Sequence, residues 1–194
     1  MLYKNKNLIG PTGSGIQKTK LPANIYLTGF MGAGKTSVGK LLSLELGTDY
    51  YDTDELIAAA LKMSIGEIFE TKGEAFFRNT ETELLKLLGE KQPGTCIIST
   101  GGGAVLRLEN ITAMHQNGLI VFLDVSAEEA YSRIKENTDR PLLKTANPLE
   151  TIKELLEIRM PFYLKADFIV KTSGLTSGET VKIIINAIMQ GVEK

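Results

Sequence analysis

The hydrophobic residues of this 194-residue chain recur with two alternating periods. Short runs rich in β-branched and aromatic residues predict five strands, at residues 24–28, 49–52, 95–99, 119–125 and 167–171. The longer stretches between them carry apolar residues at helical spacing and predict helices at 37–47, 54–61, 64–73, 74–90, 126–136, 147–163 and 178–191. Strands that alternate with helices indicate βαβ units, and therefore an α/β fold around a parallel sheet.

Two of these helices carry enough apolar residues to predict which side chains face the core. The helix at 37–47 is expected to direct five residues inward, namely Val38, Leu41, Leu42, Leu44 and Leu46. The helix at 74–90 is expected to bury Phe76, Phe77, Leu84, Leu87 and Leu88. Residues 137–147 show no clear period and lie between two predicted helices, which predicts an exposed, mobile loop.

Composition narrows the class of protein. A hydrophobic content of 43% predicts one domain, residues 23–194, behind a flexible leader, residues 1–22. The 22 basic and 23 acidic side chains create no overall field that favours nucleic acid or an anionic membrane, so neither is expected as a partner. The single Cys96 cannot form an internal disulfide, which suits a buried position and a reducing cytoplasm. No apolar run approaches the roughly 18 residues that span a bilayer, and the lone His115 supports no metal cluster.

The stretch "GFMGAGKT", residues 29–36, has the complete G-x-x-x-x-G-K-[ST] pattern of a phosphate-binding loop. It follows the first predicted strand and opens the next helix, which is the context that this motif requires. Backbone N–H groups of such a loop surround phosphate oxygens, Lys35 reaches the β- and γ-phosphates, and Thr36 offers a hydroxyl to Mg²⁺. The predicted ATP-binding residues here are Gly32, Ala33, Gly34, Lys35, Thr36 and Ser37.

A second glycine-rich stretch, "GPTGSGIQKT" at residues 10–19, lacks these features. Only Leu8 and Ile9 form an apolar pair before it, and Pro22 limits any helix after it. Two inserted residues also move Lys18 away from the position that the motif requires. A flexible leader, either a natural extension or a remnant of expression, is therefore expected there.

Two carboxylates follow the second predicted strand, in "YYDTDE". Residues at the carboxyl edge of a parallel sheet face the crevice where ligands bind. Asp52 is therefore a candidate ligand of Mg²⁺, and Asp54 a candidate partner of an acceptor hydroxyl. The alternative is that Asp54 or Thr53 only caps the next helix.

Arg78 and a glycine turn are further candidates on the acceptor side. Arg78 either binds an anionic substrate or pairs with Glu74 or Glu81 on a solvated helix face. The turn Gly101-Gly102-Gly103 follows the third strand, where its backbone approaches a small ligand closely unless it is merely a loose turn.

Two more arginines complete the set. Arg140, in the predicted mobile loop, is either a side chain that closes over phosphates or an ordinary surface arginine. Arg159, late in its helix, either binds a ligand or stabilises the helix dipole. Arginines beside carboxylates and a glycine turn together describe a pocket for a small hydroxylated acid.

The ordered motifs "GFMGAGKT", "YYDTD", "GEAFFR", "STGGG", "DRPLL" and "RMPFY" resemble those of the shikimate kinase family, over about residues 23 to 190. The resemblance implies a three-layer P-loop NTPase fold like that of nucleoside monophosphate kinases. Its five-stranded parallel sheet would have the order 2-3-1-4-5, with helices on both sides and a mobile lid at about residues 137–147. It also implies ATP- and Mg²⁺-dependent phosphorylation of the 3-hydroxyl of shikimate, which yields 3-phosphoshikimate and ADP. This reaction belongs to chorismate and aromatic amino acid biosynthesis. The resemblance further implies a cytoplasmic monomer.

Roles for individual residues follow from the same resemblance. The catalytic residues implied are Lys35, Asp54 and Arg140, with Arg140 also binding ATP. The implied shikimate ligands are Asp54, Arg78, Gly101, Gly102, Gly103 and Arg159, and the implied Mg²⁺ ligands are Thr36 and Asp52. The chain departs from the family in its long leader and in "KTSGLTSGETV", residues 171–181, which lacks an arginine or proline often found in the adenine-contacting turn. The adenine contacts are therefore unassigned.

Three other functions remain compatible with a P-loop. A gluconate kinase of the same fold also phosphorylates a hydroxylated acid. A GTP-dependent switch is disfavoured because the strings D-x-x-G after a later strand and N-K-x-D are absent. A nucleotide-binding subunit without chemistry would bind ATP and phosphorylate nothing.

Overall fold

The computed structural model describes residues 24–91, 95–135 and 145–191. Five strands form its sheet: β1 (Asn24–Thr28), β2 (Asp49–Asp52), β3 (Cys96–Ser99), β4 (Leu119–Asp124) and β5 (Phe168–Lys171). Eight helices accompany them among the described residues: α1 (Lys35–Leu46), α2 (Thr53–Leu61), α3 (Ile65–Lys72), α4 (Glu74–Lys91), α5 (Leu108–Asn117), α6 (Ala127–Ile134), α7 (Pro148–Tyr163) and α8 (Ser177–Gly191). A short 3-10 helix, Ala104–Leu106, precedes α5.

The strands are all parallel and lie in the order β2-β3-β1-β4-β5, which confirms the predicted fold. The central strand β1 pairs with β3 on one side, where Leu27 lies opposite Ser99, and with β4 on the other. Because the strands are parallel, the segments that follow β1, β2 and β3 leave the sheet at the same edge. The P-loop, the aspartates and the glycine turn therefore meet there.

The two faces of the sheet support separate cores, which gives the fold its three layers. Successive residues of a strand point to opposite faces. Accordingly Ile25 and Leu27 belong to the core that includes α1 and α8, whereas Tyr26 belongs to the core that includes α4 and α5. A smaller cluster of Ile57, Ile68 and Phe77 joins α2, α3 and α4.

Part of the predicted burial is wrong. On α1, Leu44 is 59% exposed, because it lies about 200° around the helix from the buried Leu42 and Leu46. On α4, Phe76 and Leu87 are exposed, whereas Leu85 is buried in their place. Successive residues of a helix are turned by about 100°, so a run of apolar residues cannot all face the core.

Other sequence expectations have mixed outcomes. Cys96 is buried, as predicted. The predicted helices do not include α5, whose last turn contains the partly exposed His115. None of the helices in the described ranges is long and apolar enough to cross a membrane. The leader, Arg140 and most of the predicted lid lie outside the described residues.

Candidate active site

The P-loop joins the end of β1 to the start of α1. Its Gly34 is the N-cap of α1 and has a left-handed φ of 89°, a conformation that residues with a Cβ rarely adopt. No cap side chain and no acidic residue of the first turn occupies the first N–H groups of α1. The helix start therefore offers backbone donors and a positive dipole to an anion.

Lys35 lies over the loop from which it projects. Its Nζ donates to the carbonyl oxygens of Gly29 at 2.8 Å and of Phe30 at 3.0 Å. These contacts keep the ammonium beside the loop backbone. The phosphate-binding role of Lys35 stays a prediction.

Asp52 connects β2, α1 and α2 through both of its carboxylate oxygens. Oδ1 caps α2 by accepting from the N–H groups of Asp54 and Glu55, at 3.0 and 3.4 Å. Oδ2 accepts from Thr36 Oγ1 and from the Tyr50 hydroxyl, each at 3.2 Å. The interpretation of Asp54 or Thr53 as the cap of this helix is wrong, because Asp52 has that role.

Tyr50 is a functional candidate that the sequence did not indicate. Burial raises the pKa of its phenol to about 12, despite the neighbouring hydroxyls of Ser99 and Thr36. Tyr50 therefore remains a protonated donor to Asp52 throughout the neutral range. A tyrosine two residues before an aspartate on the same strand face was the only available signal.

Arg78 projects from the second turn of α4 into a nearly closed environment. Its Nη1 donates to Glu81 Oε2 at 2.8 Å, and its Nε donates to Glu74 Oε1 at 3.3 Å. The two predicted pairs therefore form, but the solvated face does not, because the Glu81 side chain has 0% exposure. Burial raises the pKa of Glu81 to about 7, although Arg78 opposes this shift.

The glycine turn after β3 closes tightly around these side chains. A Cβ on Gly101 would lie 2.6 Å from Glu81 Oε1 and 2.8 Å from Asp54 Oδ1. A Cβ on Gly103 would lie 2.5 Å from Arg78 Nη2. The turn is therefore not loose, since a side chain at either position would displace a charged group.

The glycine turn also lies beside the P-loop. A Cβ on Gly102 would lie 3.4 Å from the Gly29 carbonyl oxygen and 3.7 Å from the Met31 nitrogen. The Thr100 N–H donates to the Leu27 carbonyl oxygen at 3.1 Å. The phosphate side and the acceptor side of the site thus lie next to each other.

Arg159 of α7 lies beside this junction. Its guanidinium is 5.6 Å from the centre of the Phe30 ring. One turn later, Tyr163 donates its hydroxyl to the Gly102 carbonyl oxygen at 2.7 Å, and burial raises the pKa of this phenol to about 12. Arg159 is not in the last turn of α7, so the helix-dipole interpretation is not favoured.

A cleft of about 270 Å³ extends from the other side of the P-loop. It is lined by Ala33, Gly34, Ser37, Val38, Arg133, Thr172, Leu175, Thr176, Ser177 and Thr180. The Nη1 of Arg133 donates to the Gly32 carbonyl oxygen at 2.9 Å. No sequence pattern indicated Arg133, which has the spacing of an ordinary basic residue near a helix end.

The sequence matches one enzyme family over most of its length. The family model described as shikimate kinase matches residues 31–189. A shikimate kinase of Thermodesulfovibrio yellowstonii is 50% identical over 162 residues, which are 84% of this chain and 92% of that protein.

Solved structures give the same match. The shikimate kinase from Acinetobacter baumannii in complex with shikimate has a TM-score of 0.82 and 35% identity, covering 88% of this chain and 94% of that one. The Aquifex aeolicus shikimate kinase has a TM-score of 0.74 and 40% identity, covering 87% and 97%. A gluconokinase from Sinorhizobium meliloti has a TM-score of 0.56 and 14% identity, covering 90% of this chain and 95% of that one. At this identity the likeness shows a shared fold alone.

Proposed function

This chain belongs to the shikimate kinase family, and from that membership we infer that it transfers the terminal phosphoryl group of ATP to shikimate. The products are 3-phosphoshikimate and ADP, in the biosynthesis of aromatic amino acids. The observation that carries this function is the family match over residues 31–189, which includes all but the first two residues of the P-loop and the whole acceptor pocket. The gluconate kinase and GTP-switch alternatives have no comparable support.

On the phosphate side, the N–H groups at the start of α1 and the Lys35 ammonium would bind the β- and γ-phosphates. In-line transfer depends mainly on positioning and on neutralising the charge of the transferred group. We assign Arg140 the same neutralising role on the basis of the "DRPLL" motif. Closure of the loop at about residues 137–147 would then exclude water, which otherwise hydrolyses ATP.

Thr36 and Asp52 are suited to hold Mg²⁺. Both offer oxygen ligands, and Thr36 Oγ1 lies 3.2 Å from Asp52 Oδ2 at the phosphate side. The described part of the chain contains no cluster of three or more metal-ligating side chains. This donor set fits Mg²⁺, which typically takes one or two protein ligands and completes its shell with phosphates and water. The bound ion would supply positive charge to the phosphate oxygens.

On the acceptor side, Arg78 and Arg159 would bind the shikimate carboxylate. Glu81 would position Arg78, since the two side chains pair inside the protein. The 3-hydroxyl would donate to Asp54, which lies beside the glycine turn. As the new oxygen–phosphorus bond forms and the bond to the ADP oxygen breaks, Asp54 would take the hydroxyl proton.

The cleft beside Arg133 would hold the nucleoside of ATP, because it opens from the P-loop at the start of α1. Ala33 and Ser37 line this cleft and would contact the nucleotide there. We further propose that residues 23–194 act as one domain and as a monomer. Its single, buried cysteine is compatible with a reducing cytoplasm.

The test is ADP release with ATP and Mg²⁺, measured with shikimate, with gluconate and without acceptor. Rapid release with shikimate alone, abolished by Lys35→Ala, is the expected result. Strong turnover with gluconate and none with shikimate would overturn the assignment. Binding of ATP without phosphorylation of either acid would favour a subunit without chemistry.

A further inference from the structure

Glu129, in the first turn of α6, uses both carboxylate oxygens to join two parts of the fold. Its Oε1 pairs with Arg133, one helical turn later. Its Oε2 accepts from the Gly174 N–H at 3.0 Å. Gly174 lies between β5 and α8, 45 residues from Glu129 in sequence. A single side chain therefore connects α6 to the turn that precedes α8.

Arg133 extends this connection to the P-loop. Its Nη1 donates to the Gly32 carbonyl oxygen, while its Nη2 contacts Glu129. The contacts run without interruption from the P-loop, through Arg133 and Glu129, to Gly174. Residues of the P-loop, α6 and the β5–α8 segment form the walls of the 270 Å³ cleft.

We propose that Glu129 is a positioning residue for the adenine nucleotide, acting through Arg133 and the turn at Gly174. This proposal rests on the proposed function, which assigns the cleft to the nucleoside of ATP. A long arginine side chain at the wall of a cleft loses rotamer freedom when it binds a ligand. Glu129 and the Gly32 carbonyl restrict that freedom beforehand, so the nucleotide meets a preorganised wall.

The neighbouring Glu128 shows that a charge pair on this helix need not have such a role. Glu128 is 64% exposed and contacts Lys153 of α7 at 3.2 Å. Neither glutamate lines the cleft itself, so the two differ in what their carboxylates contact. Exposed pairs of this kind contribute little to stability. Glu129, by contrast, is only 27% exposed and also binds a backbone N–H group.

The turn remains attached to the fold without Glu129. The Thr172 N–H donates to the Asp124 carbonyl oxygen at 2.7 Å, and the Ser126 N–H donates to Ser173 Oγ at 2.9 Å. Replacement of Glu129 is therefore expected to release Arg133 and the tip of the turn while the α6 region stays folded. This makes a specific effect on nucleotide binding measurable.

The experiment measures ADP binding by calorimetry for the wild type, Glu129→Ala, Glu129→Gln and the matched control Glu128→Ala. Loss of charge-assisted hydrogen bonds predicts a Kd for ADP about 10-fold higher in Glu129→Ala and about 3-fold higher in Glu129→Gln. Glu128→Ala should stay within about 2-fold of the wild type. The KM for shikimate and kcat at saturating ATP should be unchanged in all three variants.

A double-mutant cycle tests whether Glu129 acts through Arg133. The variant Glu129→Ala/Arg133→Ala is expected to bind ADP almost as Arg133→Ala does, because residues in one network do not act additively. Fully additive losses would overturn the proposal. So would equal ADP affinities of Glu129→Ala and Glu128→Ala, or a lower Tm of Glu129→Ala accompanied by a higher KM for shikimate. Failure of the wild type to bind ADP would instead overturn the proposed function.

Discussion

The carboxylates of Asp54 and Glu81 approach one point, the position that a Cβ on Gly101 would occupy. That position lies 2.8 Å from Asp54 Oδ1 and 2.6 Å from Glu81 Oε1. Real Cβ atoms do not approach other atoms so closely, so one carboxylate must move if Gly101 gains a side chain. The turn thus determines where the Asp54 and Glu81 carboxylates lie, and these are the groups proposed to bind the hydroxyl and to position Arg78.

Gly101→Ala is therefore expected to lower kcat/KM for shikimate by about 100-fold, since small displacements of catalytic groups have large effects. The KM for ATP should change little. The control is Gly66→Ala in α3, where a Cβ would meet nothing closer than 4.0 Å. Steady-state kinetics check the prediction, and wild-type activity of Gly101→Ala would show that the turn does not order the pocket.

Glu81→Gln should change how stability depends on pH. Burial raises the pKa of Glu81 from 4.5 to about 7. Between these pH values the folded protein binds a proton that the unfolded chain releases, so this group makes the wild type less stable as pH rises. Urea unfolding at pH 5 and pH 7.5 should show that the free energy of unfolding falls more for the wild type than for Glu81→Gln. Equal changes would contradict the raised pKa.

Lys35→Ala and Arg78→Ala should affect different kinetic constants. Loss of the Lys35 charge is expected to lower kcat by about 100-fold or more, with little change in the KM for shikimate.

Arg78→Ala should raise the KM for shikimate by about 10- to 100-fold through loss of charge-assisted hydrogen bonds. Arg159→Ala should behave like Arg78→Ala without leaving Glu81 unpaired. An unchanged KM for shikimate in Arg78→Ala would refute the pocket assignment.

Tyr50→Phe should weaken the response to Mg²⁺. Its hydroxyl donates to the same Asp52 oxygen that contacts Thr36. Partners that orient a metal ligand typically change metal affinity when they are lost, here by about 3- to 10-fold. The concentration of Mg²⁺ at half-maximal rate measures the effect. Tyr51→Phe, on the opposite face of β2, is the matched control, and equal behaviour of the two variants would exclude the role.

Deletion of residues 1–20 should leave the kinase active. The segment contains the incomplete "GPTGSGIQKT" motif, whereas the complete P-loop follows it at residues 29–36. Both kcat and KM should stay within about 2-fold of the full-length values, since terminal segments tolerate truncation best. A folded but inactive truncated protein would give the first motif a role.

Local sequence patterns predicted the strands well, and the resemblance to shikimate kinases supplied their order in the sheet. The five strands lie within one residue of their predicted bounds, and "GFMGAGKT" carries its whole geometry in eight consecutive residues. Helix faces were less predictable. Adjacent apolar residues such as Phe76 and Phe77 give the same local signal, although only Phe77 meets the core.

The residues that the sequence missed depend on contacts between distant segments. Glu81 has the spacing of an ordinary surface partner of Arg78, yet its side chain is buried in the folded chain, where it lies beside the glycine turn. Tyr163 binds Gly102, which is 61 residues away. Such contacts follow from the topology and not from a local period.

The pairing of β1 with β3 has a consequence for how this scaffold diversifies. The phosphate loop and the glycine turn extend from adjacent strands, which backbone hydrogen bonds hold at about 4.8 Å. The spacing between the two loops is therefore set by main-chain hydrogen bonds, which do not depend on the side chains of the strands. We therefore expect substitutions around the rim of the acceptor pocket to change which alcohol binds without changing the spacing of the two strands.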